Sequence, residues 1–281
     1  MVVFRLRMRI TFLGTGTSNG IPVVTCRCPV CRSANPKNRR TRPSILVETA
    51  ATTILVDACP DFREQALREK ISSIDAVLFT HAHADHIHGL DDLRPFCCSK
   101  AVYCYGDRET IEDLRRRFDY IVDSAKWTPG RPRLIPEVIE PARPLRVGDT
   151  EVLPVRILHG GYPILGFRLN DFAYLTDCKS IPVESYPLLE GVKVAVLGAL
   201  RYRPHPTHLS VTEAMDEAER LGAEMTYLTH LCHELEHEKL SAELPPAVQP
   251  AYDGLVLERR NGRLEPSKTP AGVVRDYAGS S

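Results

Sequence analysis

The stretch His81-Ala82-His83-Ala84-Asp85-His86 places three imidazoles and one carboxylate within six residues. It follows the apolar run 74–80, which is typical of a buried strand. Side chains alternate along an extended chain, so His81 and His83 should point to the same side, with the rest of the cluster turning into a helix. Imidazoles and carboxylates are ligands for zinc, manganese or iron, and four such ligands can serve two neighbouring ions.

Further ligand-type residues follow three later strand patterns. These residues are His159, Asp177 and His230, and each directly follows an apolar segment. Taken singly, each would more often be a satisfied polar residue. Together with the first cluster they complete a set in which one carboxylate bridges two ions, and such a pair can activate water for displacement at phosphorus.

Short apolar segments alternate with amphipathic ones along most of the chain. The strand candidates are 9–13, 44–49, 53–57, 76–80, 101–105, 151–158, 166–169, 172–176, 192–198, 225–229 and 254–257. The helix candidates are 61–70, 108–120 and 210–221. This order predicts an α/β sandwich in which two sheets lie between helical layers.

The chain shows no internal repeat and no convincing domain boundary. We expect one domain over residues 8–260 and a disordered tail over 261–281, because the tail lacks periodicity. A proline-rich, basic segment from Asp123 to Pro136 is expected to form a surface loop, either a flap over a site or a plain excursion.

Charge and hydropathy exclude some classes of protein. The 281 residues contain 36 basic and 36 acidic side chains, with a pI of about 7.1, which argues against a general nucleic-acid or membrane-surface binder. No apolar stretch approaches the roughly 20 residues that a membrane span needs. The segment 1–9 lacks the apolar region of a signal peptide, so we expect a cytoplasmic protein.

Three of the nine cysteines form the pattern Cys26-x-Cys28-x2-Cys31. This spacing is tighter than disulfide frameworks prefer and suits thiolates on one ion. The remaining cysteines are interpreted as small buried residues or incidental thiols.

The HxHxDH cluster, followed in order by His159, Asp177 and His230, resembles the metallo-β-lactamase superfamily. Within it the chain is more similar to the PhnP-like phosphodiesterases, which hydrolyse phosphoribosyl cyclic phosphate. The segments that carry this closer likeness are 14–22, the cysteine triplet, 229–233 and 251–254. The resemblance implies a four-layer αββα sandwich with two mixed sheets flanked by helices.

The resemblance also implies a ligand set. One ion would lie on His81, His83 and His159, the second on Asp85, His86 and His230, with Asp177 and a hydroxide between them. These would be two divalent ions, manganese or zinc or else iron. A separate structural zinc would lie on Cys26, Cys28, Cys31 and His233.

Other residues are candidates for supporting roles. The family pattern places a general acid at His208, with His205 as the nearby alternative, and Asp85 counts as catalytic as well as a ligand. Candidates for counter-charges to phosphate are Arg94, Arg201 and Arg203. Candidates for orienting the imidazoles are Asp57 and Asp253. We expect His88 to be a helix residue outside the ligand set, and His237 to be a solvated surface residue.

The leading hypothesis is a metal-dependent phosphoric diester hydrolase that acts on a small cyclic phosphate ester, phosphoribosyl or nucleotide-like, through a metal-bridging hydroxide. An RNA nuclease of the tRNA 3′-end type is an alternative, for which the basic segments 37–42 and 115–117 would have to grip substrate. Two further alternatives are a hydrolase of thioesters or lactones and a protein of the pyrroloquinoline quinone synthesis type. The family suggests a homodimer, and we expect a small phosphodiester as substrate. A membrane is not expected as partner, and nucleic acid is disfavoured but stays open as the nuclease alternative.

Overall fold

The computed structural model describes residues 8–97, 100–122 and 133–267. The strands are β1 (Arg9–Gly14), β2 (Ser44–Glu48), β3 (Thr53–Val56), β4 (Ala76–Leu78), β5 (Val102–Gly106), β6 (Leu134–Val138), β7 (Leu145–Val147), β8 (Thr150–His159), β9 (Tyr162–Leu169), β10 (Phe172–Leu175), β11 (Val194–Gly198), β12 (Met225–Thr229), β13 (Val248–Pro250), β14 (Val256–Arg260) and β15 (Arg263–Pro266). They form an eight-stranded and a seven-stranded sheet.

The helices are short and lie between the strands. They are α1 (Phe62–Glu69), α2 (Ala84–Ile87), α3 (Arg108–Arg117), α4 (Asp119–Val122), α5 (Tyr186–Leu189), α6 (Val211–Leu221) and α7 (His237–Glu243), with 3₁₀ turns at Pro36–Asn38, Leu90–Cys97 and Val183–Ser185. Helix α6 begins with a capping box between Ser210 and Glu213 and ends at Gly222 in the left-handed conformation. No helix in the described part of the chain is long and apolar enough to cross a membrane.

Both sheets are mixed. The first has the order β15-β14-β1-β2-β3-β4-β5-β6, and the run from β3 to β6 is parallel. The second has the order β13-β12-β11-β10-β9-β8-β7, and the run from β10 to β13 is parallel. Two mixed sheets flanked by helices confirm the predicted αββα sandwich.

Three apolar clusters correspond to the three interfaces of the four layers. The central cluster joins the sheets, with Phe12 of β1 and Phe167 of β9 among its buried side chains. A second cluster packs α6 on the seven-stranded sheet, and a third packs α1 and α3 on the eight-stranded sheet. Burial of this apolar surface holds the four layers together.

The topology brings strand ends from both sheets to one edge. Strands β3 and β4 are parallel neighbours, and β8, β10, β11 and β12 run in a common direction in the other sheet. A backbone hydrogen bond from the N–H of Leu165 to the carbonyl of Thr80, 3.0 Å long, joins the two sheets at that edge. Residues that follow these strands are therefore close in space.

Some element boundaries differ from the sequence expectations. Strand β6 begins at Leu134, inside the predicted loop 123–136, because its residues pair in parallel with β5. Strand β15 lies inside the predicted tail, because it pairs with β14 and buries Leu264. The rest of that loop and tail, residues 123–132 and 268–281, falls outside the described residues.

Substitution of Phe12 tests the packing between the two sheets, because its ring centroid lies 5.8 Å from that of Tyr227 in the opposite sheet. Replacing it by alanine should lower the free energy of unfolding by about 3–5 kcal/mol, since a cavity would remain in the central cluster. Urea unfolding with an unchanged m value would measure the loss. The control Val183→Ala, at a side chain 82% exposed, should change stability little. A Phe12→Ala protein as stable as the parent would contradict the assigned packing.

Candidate metal centre

The HxHxDH segment lies at the edge where the strand ends meet. His81 follows β4, His83 is the extended residue that precedes α2, and α2 itself contains Asp85 and His86. His159 is the last residue of β8, so it reaches the same edge from the second sheet. The extended-then-helical backbone expected for this segment is therefore present.

Three imidazoles form one half of the cluster. The ring centroids of His81 and His83 are 4.5 Å apart, and that of His159 lies 5.7 Å from His81 and 5.2 Å from His83. His81 is buried, whereas His83 is on the exposed side of the group. The structure therefore brings together the three residues expected to share the first ion.

Two imidazoles and two carboxylates form the other half. His86 Nε2 lies 3.4 Å from both Asp85 Oδ2 and Asp177 Oδ1, and His230 Nε2 lies 3.2 Å from Asp177 Oδ2 and 3.7 Å from Asp85 Oδ2. All four residues are buried, and one ligand atom of each lies within 4.8 Å of the others. Nitrogen and oxygen atoms so placed could hold a divalent ion.

Hydrogen bonds fix the orientation of three imidazoles. His86 Nδ1 donates to Asp57 Oδ2 at 2.7 Å, and His159 Nδ1 donates to the Asp177 carbonyl at 2.9 Å. Thr80 Oγ1 donates to Asp57, so it accepts from His81 Nδ1, 3.0 Å away. In their neutral forms all three rings therefore keep the Nε2 lone pair for a metal ion.

Three of these residues have a strained backbone. Asp57, Asp177 and His230 have positive φ angles of 62°, 55° and 59°, in the left-handed region that non-glycine residues rarely occupy. Asp57 and His230 directly follow β3 and β12, and Asp177 lies two residues after β10. Strain of this kind clusters at functional sites and persists only where the surrounding structure holds it in place.

The electrostatics of the buried half favour bound cations. Burial opposes the charged form of His86, yet Asp177, Asp85 and Asp57 raise its pKa well above the ordinary value. The pKa of Asp177 is well below its usual range, because the pull of His230 and His86 outweighs burial. Negative charge in the cluster thus stabilises whatever positive charge lies next to it.

Buried ring nitrogens that have no hydrogen-bond partner indicate whether the cluster suits metal ions. Among the described residues, Nε2 of His81, Nε2 of His86 and both ring nitrogens of His230 are buried and make no hydrogen bond. An unpaired buried polar atom is unfavourable, and metal coordination would satisfy the nitrogens that face the cluster. The donor set therefore fits divalent ions.

His208 lies directly beside this cluster. Its ring centroid is 4.6 Å from that of His159 and 4.7 Å from that of His230, and its Nδ1 lies 4.0 Å from Asp177 Oδ2. Burial and the neighbouring His230 lower the pKa of His208 to about 3, so the ring is neutral near pH 7. His205 is more distant from the cluster, with its ring centroid 5.1 Å from that of His208.

The three cysteines converge on His233. The Sγ atoms of Cys26, Cys28 and Cys31 lie 3.2, 3.6 and 3.6 Å from His233 Nδ1. Tetrahedral zinc with ordinary bond lengths would separate sulfur and nitrogen ligands by about 3.6 Å. Burial opposes ionisation of Cys28, but the N–H of Cys31 and the adjacent thiols and imidazole lower its pKa to about 6. This group could hold one ion with no position left for substrate.

An open cleft of about 280 Å³ lies beside His208 and His233. Thr17, Ser18 and Asn19 line it from the loop after β1, and His205 and His208 from the segment before α6. His233 of the cysteine group also contributes to its wall. A small molecule in this cleft would contact His208.

The other candidates have different surroundings. Asp57 orients His86, but Asp253 accepts hydrogen bonds from Thr15 and Thr41 instead and orients no imidazole. His88 packs against Phe118 and lies outside the cluster, as expected. Arg94 and Arg203 are paired with Asp91 and Glu234.

His237 was expected at the solvated surface, and this expectation is wrong. Its side chain is 4% exposed and its Nδ1 lies 3.1 Å from Nη2 of Arg40, which is itself fully buried. Arg40 also donates to Thr15 and to the Ala251 carbonyl. Sequence reasoning missed this network because an arginine within a basic run looks like a surface residue.

The described cysteines outside the triplet are buried, which confirms their interpretation as small buried residues. They are Cys59, Cys97, Cys104, Cys178 and Cys232. Cys98 lies outside the described residues.

Comparison with known proteins agrees with this geometry. Residues 52–231 match the family model of the beta-lactamase superfamily domain. A solved structure of a new diphosphatase from the PhnP family is 41% identical, with a TM-score of 0.84 over 90% of this chain and 97% of that chain.

Two curated relatives match this chain over about half of their own length. An octanoyltransferase of Porphyromonas gingivalis is 41% identical over 263 residues, which are 92% of this chain and 53% of that protein. Coenzyme PQQ synthesis protein B of Methylobacterium radiotolerans is 33% identical over 132 residues, 41% of this chain and 43% of that protein. The chain therefore belongs to the beta-lactamase superfamily and, within it, to the PhnP family of metallo-hydrolases.

Proposed function

We propose that this chain is a phosphodiesterase that hydrolyses a small cyclic phosphate ester of the phosphoribosyl or nucleotide-like type. The observation that carries the proposal is the position of His208. Its Nδ1 lies 4.0 Å from Oδ2 of Asp177, the carboxylate expected to be shared by both ions, and its side chain lines an open cleft of about 280 Å³ that suits a small substrate. The 41% identical diphosphatase of the PhnP family supports phosphorus as the reacting centre.

In this proposal the active-site ligands are His81, His83 and His159 for one ion and Asp85, His86 and His230 for the other, with Asp177 shared. Bound divalent ions would lower the pKa of water and offset negative charge on the phosphate. Asp57 and Thr80 hold the imidazoles in the ligating tautomer. Whether manganese, zinc or iron is used is decided by supply as much as by these ligands.

His208 is the proposed proton donor. Hydrolysis breaks one P–O bond, adds the oxygen of water to phosphorus and leaves an alkoxide that needs a proton. The free ring is neutral near pH 7, so it would first take up a proton from solvent, give that proton to the alkoxide oxygen and return to its neutral form. Negative charge on a bound phosphate would favour the protonated ring and so assist proton transfer.

The cysteine group is the proposed structural zinc site. It would join the loop 25–32 to the segment that carries His230, because His233 lies three residues beyond that ligand. A closed site of three thiolates and one imidazole has no open position for catalysis and contributes stability instead.

The charge distribution disfavours the nuclease alternative. In the segment 37–42, Arg40 is buried, and Lys37 and Arg42 are paired with Glu238 and Asp61. In the segment 115–117, the last two arginines are both paired with Asp113. Of the two segments, Arg39 and Arg115 are exposed outside these pairs, so less positive charge is free for gripping RNA than the sequence suggests.

Metal content and diester hydrolysis, measured on one manganese-supplemented sample, test the central proposal. We expect hydrolysis of bis-p-nitrophenyl phosphate, and Asp177→Ala should reduce it by about 10³-fold or more and lower active-site metal, because the shared carboxylate is lost. The exposed Asp216→Ala on α6 is the matched control. If the parent protein binds metal but does not hydrolyse the diester, the proposed phosphodiesterase activity is wrong, and thioesters and lactones become the substrates to assay.

Cys28→Ser tests the structural site. Bound zinc should fall by about one equivalent and the thermal midpoint should drop, because one ligand of a closed tetrahedral site is lost. Elemental analysis and thermal unfolding measure the two effects. Cys104→Ala, at a buried thiol outside the cluster, should leave the zinc content unchanged. If the Cys28→Ser variant bound as much zinc as the parent protein, the proposed structural zinc site would be wrong.

His208→Ala separates the proton donor from the ligands. Its kcat should fall by about 10²–10⁴-fold while metal content stays at the parental value, because a positioned acid acts on the chemical step. Paired kinetics and elemental analysis on one preparation provide the test. A parental rate would transfer the role to His205 or to solvent, and a loss of metal would make His208 a ligand.

A further inference from the structure

We infer that Thr15 is a positioning residue for His230, and that its hydroxyl, held between Arg40 and Asp253, fixes the backbone that carries this imidazole into the metal cluster. The inference rests on the role of His230 as a metal ligand in the proposed function. Thr15 directly follows β1 and is fully buried. It acts on His230 through the backbone of Leu231, the next residue in the chain.

The ring of His230 is held differently from the other imidazoles of the cluster. The rings of His81, His86 and His159 each have a hydrogen-bond partner at Nδ1. Both ring nitrogens of His230 are buried, and within the described part of the chain neither makes a hydrogen bond. A hydrogen bond at the second nitrogen normally fixes the direction of a ligating imidazole. The direction of His230 Nε2 therefore depends more strongly on the position of its backbone.

The backbone of His230 is held through Leu231. His230 has a φ of 59°, in the left-handed region that a non-glycine residue keeps only where its surroundings support it. The N–H of Leu231 donates to the carbonyl of Thr15 at 3.0 Å, and the N–H of Thr17 donates to the carbonyl of Leu231 at 3.1 Å. A shift of the Thr15 backbone would therefore shift the imidazole as well.

The hydroxyl of Thr15 is held from two sides. Arg40 Nη1 donates to Thr15 Oγ1 at 2.7 Å, and this hydroxyl donates to Asp253 Oδ1 at 2.8 Å. Hydrogen bonds with a charged partner are shorter and roughly twice as strong as neutral ones. The side chain of Thr15 is thus fixed by one cationic donor and one anionic acceptor.

The two partners of Thr15 are themselves fixed. Nη1 of Arg40 also donates to the Ala251 carbonyl, and Nη2 donates to His237 Nδ1. Oδ2 of Asp253 accepts from the N–H and from the hydroxyl of Thr41, both at 2.7 Å. Asp253 therefore contacts no imidazole, yet it helps to place one through the backbone. A continuous series of hydrogen bonds runs from the buried arginine to the peptide that follows the ligand.

Thr15→Val tests this role, because it removes the hydroxyl and keeps a β-branched side chain. The probe is manganese, which carboxylates and imidazoles bind and thiolates bind poorly. In calorimetric titrations the variant should bind one ion of the cluster about tenfold more weakly than the parent, the lower end of the range for residues that orient ligands. Its affinity for the other ion should change less than about twofold.

Two matched variants separate the hydroxyl from packing. Thr15→Ser keeps the hydroxyl and should bind both ions as tightly as the parent, and Thr15→Ala replaces the valine variant if that protein does not fold. Thr52→Val is the control, because Thr52 is also a buried threonine whose hydroxyl donates to a carboxylate, that of Asp149, at 2.7 Å. It precedes β3, at the opposite end of that strand from Asp57, so its manganese affinities should equal those of the parent.

A double variant shows whether the effect passes through His230. His230→Ala removes one ligand, and the ion that remains should bind equally tightly with and without Thr15→Val, because the hydrogen-bond series ends at that imidazole. A further loss of affinity in the double variant would mean that Thr15 supports the cluster as a whole, and the inference would be wrong.

Amide hydrogen exchange of the metal-free protein gives a readout that needs neither metal nor substrate. The N–H of Leu231 should exchange faster in Thr15→Val than in the parent, and at the parental rate in Thr15→Ser. Parental exchange together with parental affinity for both ions in Thr15→Val would overturn the positioning role, as would equal weakening of both ions.

These measurements also separate the inference from the proposed function. A parent protein that binds manganese but hydrolyses no diester contradicts the phosphodiesterase, and the affinities of the Thr15 variants still decide the positioning role. A parent protein that binds no divalent ion at the cluster contradicts both.

Discussion

The crowding of carboxylates around His86 is the constraint on which the rest of the site depends. Asp57, Asp85 and Asp177 are buried, and each has an oxygen within 3.4 Å of a nitrogen of that ring. Buried carboxylates are unfavourable unless positive charge or hydrogen bonds compensate them. Cations bound beside these carboxyl groups would supply that compensation and would therefore stabilise this edge of the sandwich.

The fold supplies the rigidity that such a cluster needs. Left-handed backbone at Asp57, Asp177 and His230 costs about 1–3 kcal/mol at each position and requires support from its surroundings. Gly198 provides part of it, since a Cβ there would lie 2.9 Å from the backbone nitrogen of Asp177. The Leu165–Thr80 hydrogen bond provides another part, because it holds the second sheet against the residue before His81.

The sequence predicts the parts of the fold and of the site that have a local sequence pattern, and it misses the parts that depend on contacts distant in the chain. The buried strands and the ligand cluster were predictable because apolar runs end in imidazoles and carboxylates, and parallel strands bring such ends together. Strand β13 was not predicted, since it is short and its partner β12 is separated from it by α7. Strand β15 was not predicted either, although it pairs with the adjacent β14 in a hairpin, because the segment from residue 261 onward shows no periodicity. His237 was assigned to the surface because its flanking residues are charged. Its burial depends on Arg40, which is almost 200 residues away, and no local pattern reports that contact.

The histidine and aspartate cluster and the cysteine group are joined by backbone hydrogen bonds. The N–H of Leu231 donates to the Thr15 carbonyl and the N–H of Thr17 donates to the Leu231 carbonyl, so the loop after β1 is paired with the segment that follows His230. Buried Arg40 holds the Thr15 hydroxyl in the same place at 2.7 Å. The cysteine loop joins that segment through His233. The cleft lies between these segments, so a zinc ion on the cysteines would fix the distance from its polar wall to His208. In such an arrangement a closed metal site with no open coordination position would still influence which substrates fit, because it would set the width of the cleft that they enter.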